Sequence, residues 1–306
     1  MFKYARDQKV MEIGSVKIGG NVGENPTVLI PTIFYDGHNI VDDKNNTFDE
    51  KKAKEKIREV EEAGDKHHIP YIFQVVGLTP ELMVKGLDFV ADHTEAPLII
   101  DSADLESRIV GLDHASQNGY ARRTMYNAIN LMIDEEEIAA LTRSKIEATV
   151  ILGFNMQDPS VKARVALLED GGGFVDKGLL TIAKDCGFEK ILYDPGVQPF
   201  GQGAGSSFRL LSVIKSLYGL PTGVGAHNIP SSWAWLHKNA EKEYRRIADI
   251  SANTIGITAG ANSLFIGPVE NAKYAAPAVA MTDILMADSL QDFGIEHAEV
   301  HPYELA

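Results

Sequence analysis

Cysteine is almost absent from this 306-residue chain, where Cys186 stands alone. An internal disulfide is therefore excluded, as is a zinc site needing two thiolates from one chain. A reducing cytoplasm is the natural expectation. Long hydrophobic runs are missing too: nothing approaches the roughly 20 apolar residues of a bilayer span. The opening residues Met1-Phe-Lys-Tyr-Ala-Arg-Asp-Gln-Lys9 are charged throughout, so no signal peptide is expected. Positive charge is scarce, with 29 Lys and Arg against 43 Asp and Glu and a net charge of −14. That balance argues against nucleic acid as a partner and is compatible with solubility and repulsion between copies. Nucleotide fingerprints are lacking as well. Gly201-Gln-Gly-Ala-Gly205 has no following Lys-Ser/Thr, and no Gly-x-Gly-x-x-Gly follows the first buried run.

What is present is an ordinary globular composition, 44% hydrophobic and 24% charged, organised by one repeated device. Pro97 to Ile100 form an apolar run too short for a helix and suited to a strand buried on both faces. The run ends on Asp101-Ser102, and Asp104 opens a helical pattern. Similar runs occur at 27–34, 69–77, 123–130, 147–155, 190–195, 221–228 and 261–267, most of them followed by a helical segment. Pro31 weakens the first of these, since proline cannot donate to a ladder. Thr79-Pro80 reads as an N-cap followed by proline at the first helical position. About eight strand–helix units without a composition break predict a single (β/α)₈ TIM barrel over 1–306. Residues 1–22 form an N-terminal extension, in which Lys9 to Gly20 alternate around Gly14-Ser15 as a hairpin that would plug the barrel bottom. An open doubly wound sheet is the alternative fold.

In such a barrel, strand ends two to eight place Gln74, Asp101, Asn127 with Asn130, Asn155, Asp194, Asn228 and Asn262 at one mouth. The set holds no His triplet, Cys pair or lysine, so neither a metal site nor Schiff-base chemistry is supported. Amides with two carboxylates suit a heterocycle that carries both donors and acceptors. A fused amino-pyrimidinone presents an N–H and an NH₂ side by side, which one carboxylate accepts as a pair. Asp and Asn after a strand are equally ordinary helix caps and turn formers, and the residues alone leave that choice open.

Several segments together resemble a known family. They are Ile33-Phe-Tyr-Asp-Gly-His38, Val75-Val-Gly-Leu-Thr-Pro-Glu81, Phe89-Val-Ala-Asp92 with Ala96-Pro-Leu-Ile-Ile-Asp-Ser102, Tyr126-Asn-Ala-Ile-Asn130, Phe154-Asn-Met-Gln-Asp-Pro-Ser160 and Asp194-Pro195. Over nearly its whole length the chain resembles the pterin-binding methyltransferases, in particular the family of the H subunit of tetrahydromethanopterin S-methyltransferase. That family has bacterial relatives that methylate tetrahydrofolate from a methylated corrinoid protein. The resemblance implies that Asp101, Asn127 and Asp194 hold the pterin ring, with Gln74, Ser102 and Asn155 beside them. It implies that Asn228 lies near the nitrogen that carries the methyl group and is the catalytic residue. It also implies a homodimer. The corrinoid is expected on a separate protein, because no Asp-x-His-x-x-Gly motif is present to hold it here. Gln74 stands where the methanogen subunit is expected to carry an acid, which turns the expectation toward tetrahydrofolate rather than tetrahydromethanopterin.

Two other readings compete: a tetrahydromethanopterin-linked subunit of a membrane-associated complex, and a pteroate synthase-like condensing enzyme. The second needs a strand-end Arg or Lys for pyrophosphate, and none is visible. Among the remaining features, Gly201–Gly205 reads as a lid or turn and His227 as a packed or capping histidine. His38 and His67-His68 read as solvated, and Trp233 and Trp235 as core or interface.

Overall fold

The computed structural model describes residues 3–306. In chain order come the hairpin β1 (Val10–Ile13) and β2 (Val16–Gly19), then β3 (Val28–Ile33) and a second small hairpin, β4 (Val41–Asp42) and β5 (Thr47–Phe48). Strand–helix units follow: α1 (Glu50–His67), β6 (Phe73–Val76), α2 (Pro80–His93), β7 (Leu98–Asp101), α3 (Leu105–Gln117), β8 (Thr124–Ile129) and α4 (Glu135–Arg143). The second half has β9 (Ala148–Leu152), α5 (Val161–Glu169), α6 (Leu179–Asp185), β10 (Lys190–Asp194), α7 (Ala204–Tyr218) and β11 (Gly223–Val224). It ends with α8 (Asn228–Ser231), α9 (Ala234–Asn239), α10 (Lys242–Ala259), β12 (Ser263–Pro268) and α11 (Ala272–Gln291).

The eight-stranded sheet runs in the order β10-β9-β8-β7-β6-β3-β12-β11, and every pairing in it is parallel. Its two edges meet through a parallel bridge between Tyr193 and Thr222, where Tyr193 N–H donates to the Pro221 carbonyl at 3.0 Å. The result is the expected (β/α)₈ barrel, closed by one bridge. Strand geometry divides its core in two, since successive side chains face opposite sides. Ile30, Ile72, Ile99, Met125, Val150 and Leu192 face inward as one cluster. Their neighbours Leu29, Phe73, Leu98, Ile100, Tyr126, Ile151 and Tyr193 face outward under the helices. Met11, Ile13, Val16 and Ile18 of the hairpin belong to the inner cluster, so β1–β2 plug the end where the strands begin. No helix among the described residues is long and apolar enough to cross a membrane.

Three departures from the sequence expectation have local causes. Pro31 stays inside β3 because its partner strand shifts register between Phe265 and Gly267, so the ladder is irregular where proline cannot donate. The strand expected over 221–228 shrinks to Gly223–Val224. Pro221 brings no N–H, and Gly223 sits so close to β12 that a Cβ there would lie 2.6 Å from Ser263 Oγ. Asn228 N–H then donates to Gly225 O at 3.1 Å, which turns the chain into α8. Helix α5 has no counterpart in the sequence expectation; its N-cap is Ser160, whose side chain accepts from Ala163 N–H.

The start of β3 is pinned by a buried carboxylate. Asp283 of α11 accepts from Thr27 N–H and from Thr27 Oγ1–H, both at 2.7 Å. Burial pushes Asp283 up to about 7. Thr27→Val keeps the shape and removes one donor, leaving a buried acceptor short of a partner. Denaturant unfolding is expected to show a loss of about 1–3 kcal/mol. A loss below about 0.5 kcal/mol, the ordinary range of a surface substitution, would mean that this clamp does not hold β3.

Candidate functional site

The inward files that are apolar at the hairpin end turn polar two residues later. Ile30 is followed by Thr32, Ile72 by Gln74, Ile99 by Asp101, Met125 by Asn127 and Leu192 by Asp194. Because the period is two, each polar residue points into the same interior as its apolar predecessor. Register sets them side by side: Thr32 pairs with Gln74, Asp101 with Asn127, and Asp194 with Leu152.

These side chains are already bonded into a chain. Thr32 Oγ1 donates to Gln74 Oε1 at 2.7 Å, and Gln74 Nε2 donates to Asp101 Oδ2 at 2.6 Å. Gln74 is thus a strut that orients Asp101. Burial pushes the Asp101 carboxyl up to about 6 against the opposing Gln74 bond and the charge of Arg108. Arg108 itself donates to Ser102 O and to Tyr126 Oη, each at 2.8 Å, behind the β7 end. Tyr126 donates onward to Glu137.

Asp194 lies across the mouth and is 9% exposed. Its Oδ1 accepts Gly196 N–H at 2.7 Å. Burial raises it to about 7, opposed by that bond and by Arg164. Gly196 adopts φ 62, and a Cβ there would meet Phe154 at 2.6 Å, so only glycine makes this turn. Arg164, fully buried on α5, fixes the same loop. It donates to Pro195 O at 2.8 Å, Gly196 O at 3.1 Å, Ser207 Oγ at 3.2 Å and Ser206 Oγ at 3.1 Å. No carboxylate forms an ion pair with it among the described residues, and burial lowers its pKa.

Caps and open positions separate residue by residue. The helix N-caps are side chains outside the inward files: Asp104 accepts from Ser107 N–H, Asp134 from Glu137 N–H and Ser160 from Ala163 N–H. Asp101 and Asn127 cap no helix. Ser102, expected in the binding set, is consumed locally, donating to Gly77 O at 2.6 Å and accepting Asp104 N–H at 3.0 Å. Asn130 is a turn former that accepts Met132 N–H at 2.7 Å. Asn155 is divided. Its oxygen accepts Gln157 and Asp158 N–H at 2.9 and 3.0 Å, while its fully buried Nδ2 has no protein partner.

Three expected positions change. Asn262 precedes β12 and so lies at the hairpin end, not at the mouth, where it accepts from buried Lys215 at 2.7 Å. Asn228 is not a strand end but the first residue of α8, and it is exposed. Its neighbour His227 gives its Nδ1 proton to Phe265 O at 2.6 Å, and burial lowers its pKa. His38, expected in solvent, is buried. Its Nδ1 accepts Phe34 N–H at 3.2 Å and its Nε2 faces Glu270 at 3.5 Å, which holds Phe34 at φ 64. Arg164 is absent from the residues that the sequence singles out. Its signal is a charge on the apolar face Val161, Leu167, Leu168 of a helix opened by Ser160.

A raised carboxyl is a cost at neutral pH. Asp194 binds its proton more tightly folded than unfolded, so its contribution is favourable at acid pH and is lost as pH rises toward 7. Asp194→Asn keeps the oxygen that accepts Gly196 N–H. The variant is expected to be more stable than the parent at pH 8 by roughly 1–3 kcal/mol, with the gap closing by pH 4. Denaturation at the two pH values checks this; a variant less stable than the parent at pH 8 would contradict the burial cost.

The barrel is similar in fold to solved dihydropteroate synthases. One from Xanthomonas albilineans, with 4-aminobenzoic acid, superposes with a TM-score of 0.62 at 15% identity over 92% of this chain and 99% of that one. Another from Thermus thermophilus gives 0.57 at 15% identity over 90% and 100%. Closer relatives share sequence along the whole length. The H subunit of tetrahydromethanopterin S-methyltransferase from Methanothermobacter marburgensis is 45% identical over 306 residues, 99% of each chain. The H subunit of a putative mtx methyltransferase from Methanosarcina barkeri is 41% identical over 308 residues, 100% of this chain and 99% of its own. A family model described as the tetrahydromethanopterin S-methyltransferase MtrH subunit matches residues 6–298. The chain therefore belongs to the MtrH family of pterin-binding methyltransferases, that of the tetrahydromethanopterin S-methyltransferase MtrH subunit.

Proposed function

We propose that this chain binds a tetrahydropterin at the barrel mouth and transfers a methyl group between its ring nitrogen and a corrinoid carried by a separate protein. The observation that carries the reading is the pair Asp101 and Asp194. Both project from inward strand files, both are raised by burial, and the second has one oxygen committed to the turn and one left for a ligand. Asp194 accepts the N–H and NH₂ of the aminopyrimidinone, one on the free Oδ2 and the other on the second lone pair of Oδ1. Asp101, held by Gln74, and Asn127 beside it contact the rest of the ring edge. The unpartnered Asn155 Nδ2 supplies a donor for a ring acceptor, since leaving it bare costs about 1–3 kcal/mol. Asn228, exposed at the rim, orients the reacting nitrogen and stabilises the charge that changes there.

The corrinoid supplies the cobalt-bound methyl chemistry. Room for its carrier is consistent with exposed apolar side chains around the rim: Met132 follows β8, Met156 follows β9, Phe200 follows β10 and Trp235 follows β11. Phe200 stacks on Trp233 at 4.7 Å and Trp233 on Trp235 at 5.3 Å. Such a cluster at the mouth suits a protein partner. The relatives are named as subunits, which fits a chain that works against another.

We read Gln74 as orienting Asp101. Its amide bridges Thr32 and Asp101, so its identity answers to Asp101 rather than to the ligand. Calorimetric titration with tetrahydrofolate and, separately, tetrahydromethanopterin decides between them. Saturable binding of one, lost in Asp194→Ala, is expected, and binding untouched by that change would end the ring-site reading. Asn228→Ala is expected to slow transfer from free methylcobalamin by about 10²-fold with pterin affinity nearly kept. A ligand that donates to Asp194 favours its ionised form, so affinity should be full above pH 7 and fall as pH drops below the free-state value of about 7. In Asp194→Asn the part of this dependence centred at about 7 should disappear, leaving the part set by Asp101 at about 6.

A further inference from the structure

A separate cleft lies against α8, the short helix that Asn228 opens. The cleft, of about 280 Å³, has His227, Pro230, Lys242, Arg245, Arg246 and Asp249 among its lining residues. Asn228 lies in sequence between His227 and Pro230, so the cleft and the rim share one short helix. The chain carries a net charge of −14, yet this cleft gathers three cations against one carboxylate. Several cations elsewhere are paired: Arg58 with Glu62, Arg143 with Asp113, Lys177 with Asp185 and Lys190 with Glu147. Among the described residues no ion pair engages Lys242, Arg245 or Arg246.

The two guanidiniums are nonetheless held in place. His237 donates from Nε2 to Ser231 O at 2.9 Å, so its Nδ1 is free to accept from Arg245 at 3.3 Å. Arg246 lies over the Tyr274 ring at 3.8 Å, which fixes its plane and leaves its N–H edge open. Asp249 has an oxygen without a partner, and burial raises it to about 6, so its charge opposes an anion less than a free carboxylate would. A fixed guanidinium fork matches a carboxylate or phosphate in two parallel bonds. The volume suits the end of a ligand anchored elsewhere better than a whole one.

We propose that this cleft receives the anionic tail of the pterin whose ring occupies the barrel mouth, through Arg245, Arg246 and Lys242. The proposal rests on the ring-site reading above and adds a second anchoring point, which holds the carboxylate or phosphate of the tail. Charge-assisted bonds of this kind correspond to roughly a ten- to hundredfold gain in affinity.

The test compares affinities of the whole protein for tail-less 6-methyltetrahydropterin, for tetrahydrofolate triglutamate and for tetrahydromethanopterin, whose tail bears phosphate. The parent is expected to bind one tailed ligand at least about tenfold more tightly than the tail-less ring, and Arg245→Glu should bring that ratio toward one. Lys242→Glu, at an exposed position, repeats the test without risk to folding. Greater loss with triglutamate identifies carboxylate as the tail group, and greater loss with tetrahydromethanopterin identifies phosphate. Equal loss with tailed and tail-less ligands, or no loss with either, overturns the proposal. Free γ-triglutamate and inorganic phosphate serve as separate probes. If the tail-less ring fails to bind while a probe binds through Arg245, the ring reading has failed and the anion cleft stands. If the ring binds and the tail adds nothing, the cleft alone is wrong.

Discussion

The site depends on one geometric constraint, the two-residue period of a strand. Once hydrophobic burial fixes Ile72, Ile99, Met125 and Leu192 inside the barrel, Gln74, Asp101, Asn127 and Asp194 must point there too. A one-residue slip in any strand would send its polar end under the helices and its outer apolar file into the mouth. The inner cluster therefore does two things. It closes the hairpin end with Met11, Ile13, Val16 and Ile18, and it aims the polar ends at the other. Register completes the arrangement by placing Asp101 beside Asn127.

Polar residues near the mouth divide by how much of their bonding capacity the backbone takes. Ser102, Asn130 and Asp104 commit theirs to turns and caps. Asp194 and Asn155 commit half: one oxygen of each shapes a loop while another atom stays open. Burial with unfilled capacity is what stability alone would remove. That one carboxyl and one amide keep it after adjacent strands is the physical difference between these residues and the caps around them. Arg164 obeys the same logic. A buried cation without an ion-pair partner is costly, and here it is spread over two carbonyls and two hydroxyls that together fix the loop after Asp194.

The eight strand–helix units, the plugging hairpin and the Thr79-Pro80 cap are legible in the sequence because each is a local pattern: apolar runs, alternation, a cap followed by proline. What is not legible depends on where the chain goes after a pattern stops. The glycines in 221–228 read as strand because the run is apolar, but the turn closed by Asn228 N–H on Gly225 O ends the ladder at Val224. Asn262 shares its residue type with the mouth amides, and only strand direction puts it beside Lys215 at the other end. The helical stretch after Ile229 splits into α8, α9 and α10, which creates the cationic cleft, and nothing in residue type alone marks those breaks. Arg245, Arg246 and Asp249 line a cleft only once α8 and Tyr274 are set against them.

Gln74 is tied to its neighbours, accepting from Thr32 and donating to Asp101. An acid at this position would face Asp101 Oδ2 at the 2.6 Å now spanned by an amide N–H. Two carboxylates at that range cannot both ionise, so one would hold a proton near neutrality. With glutamine the proton is replaced by a permanent donor. Asp101 is then free to stay ionised above about 6, and the bond from Thr32 fixes which end of the amide faces it. The acid and the amide are two solutions to one requirement, a donor toward Asp101, and differ in how the site responds to pH.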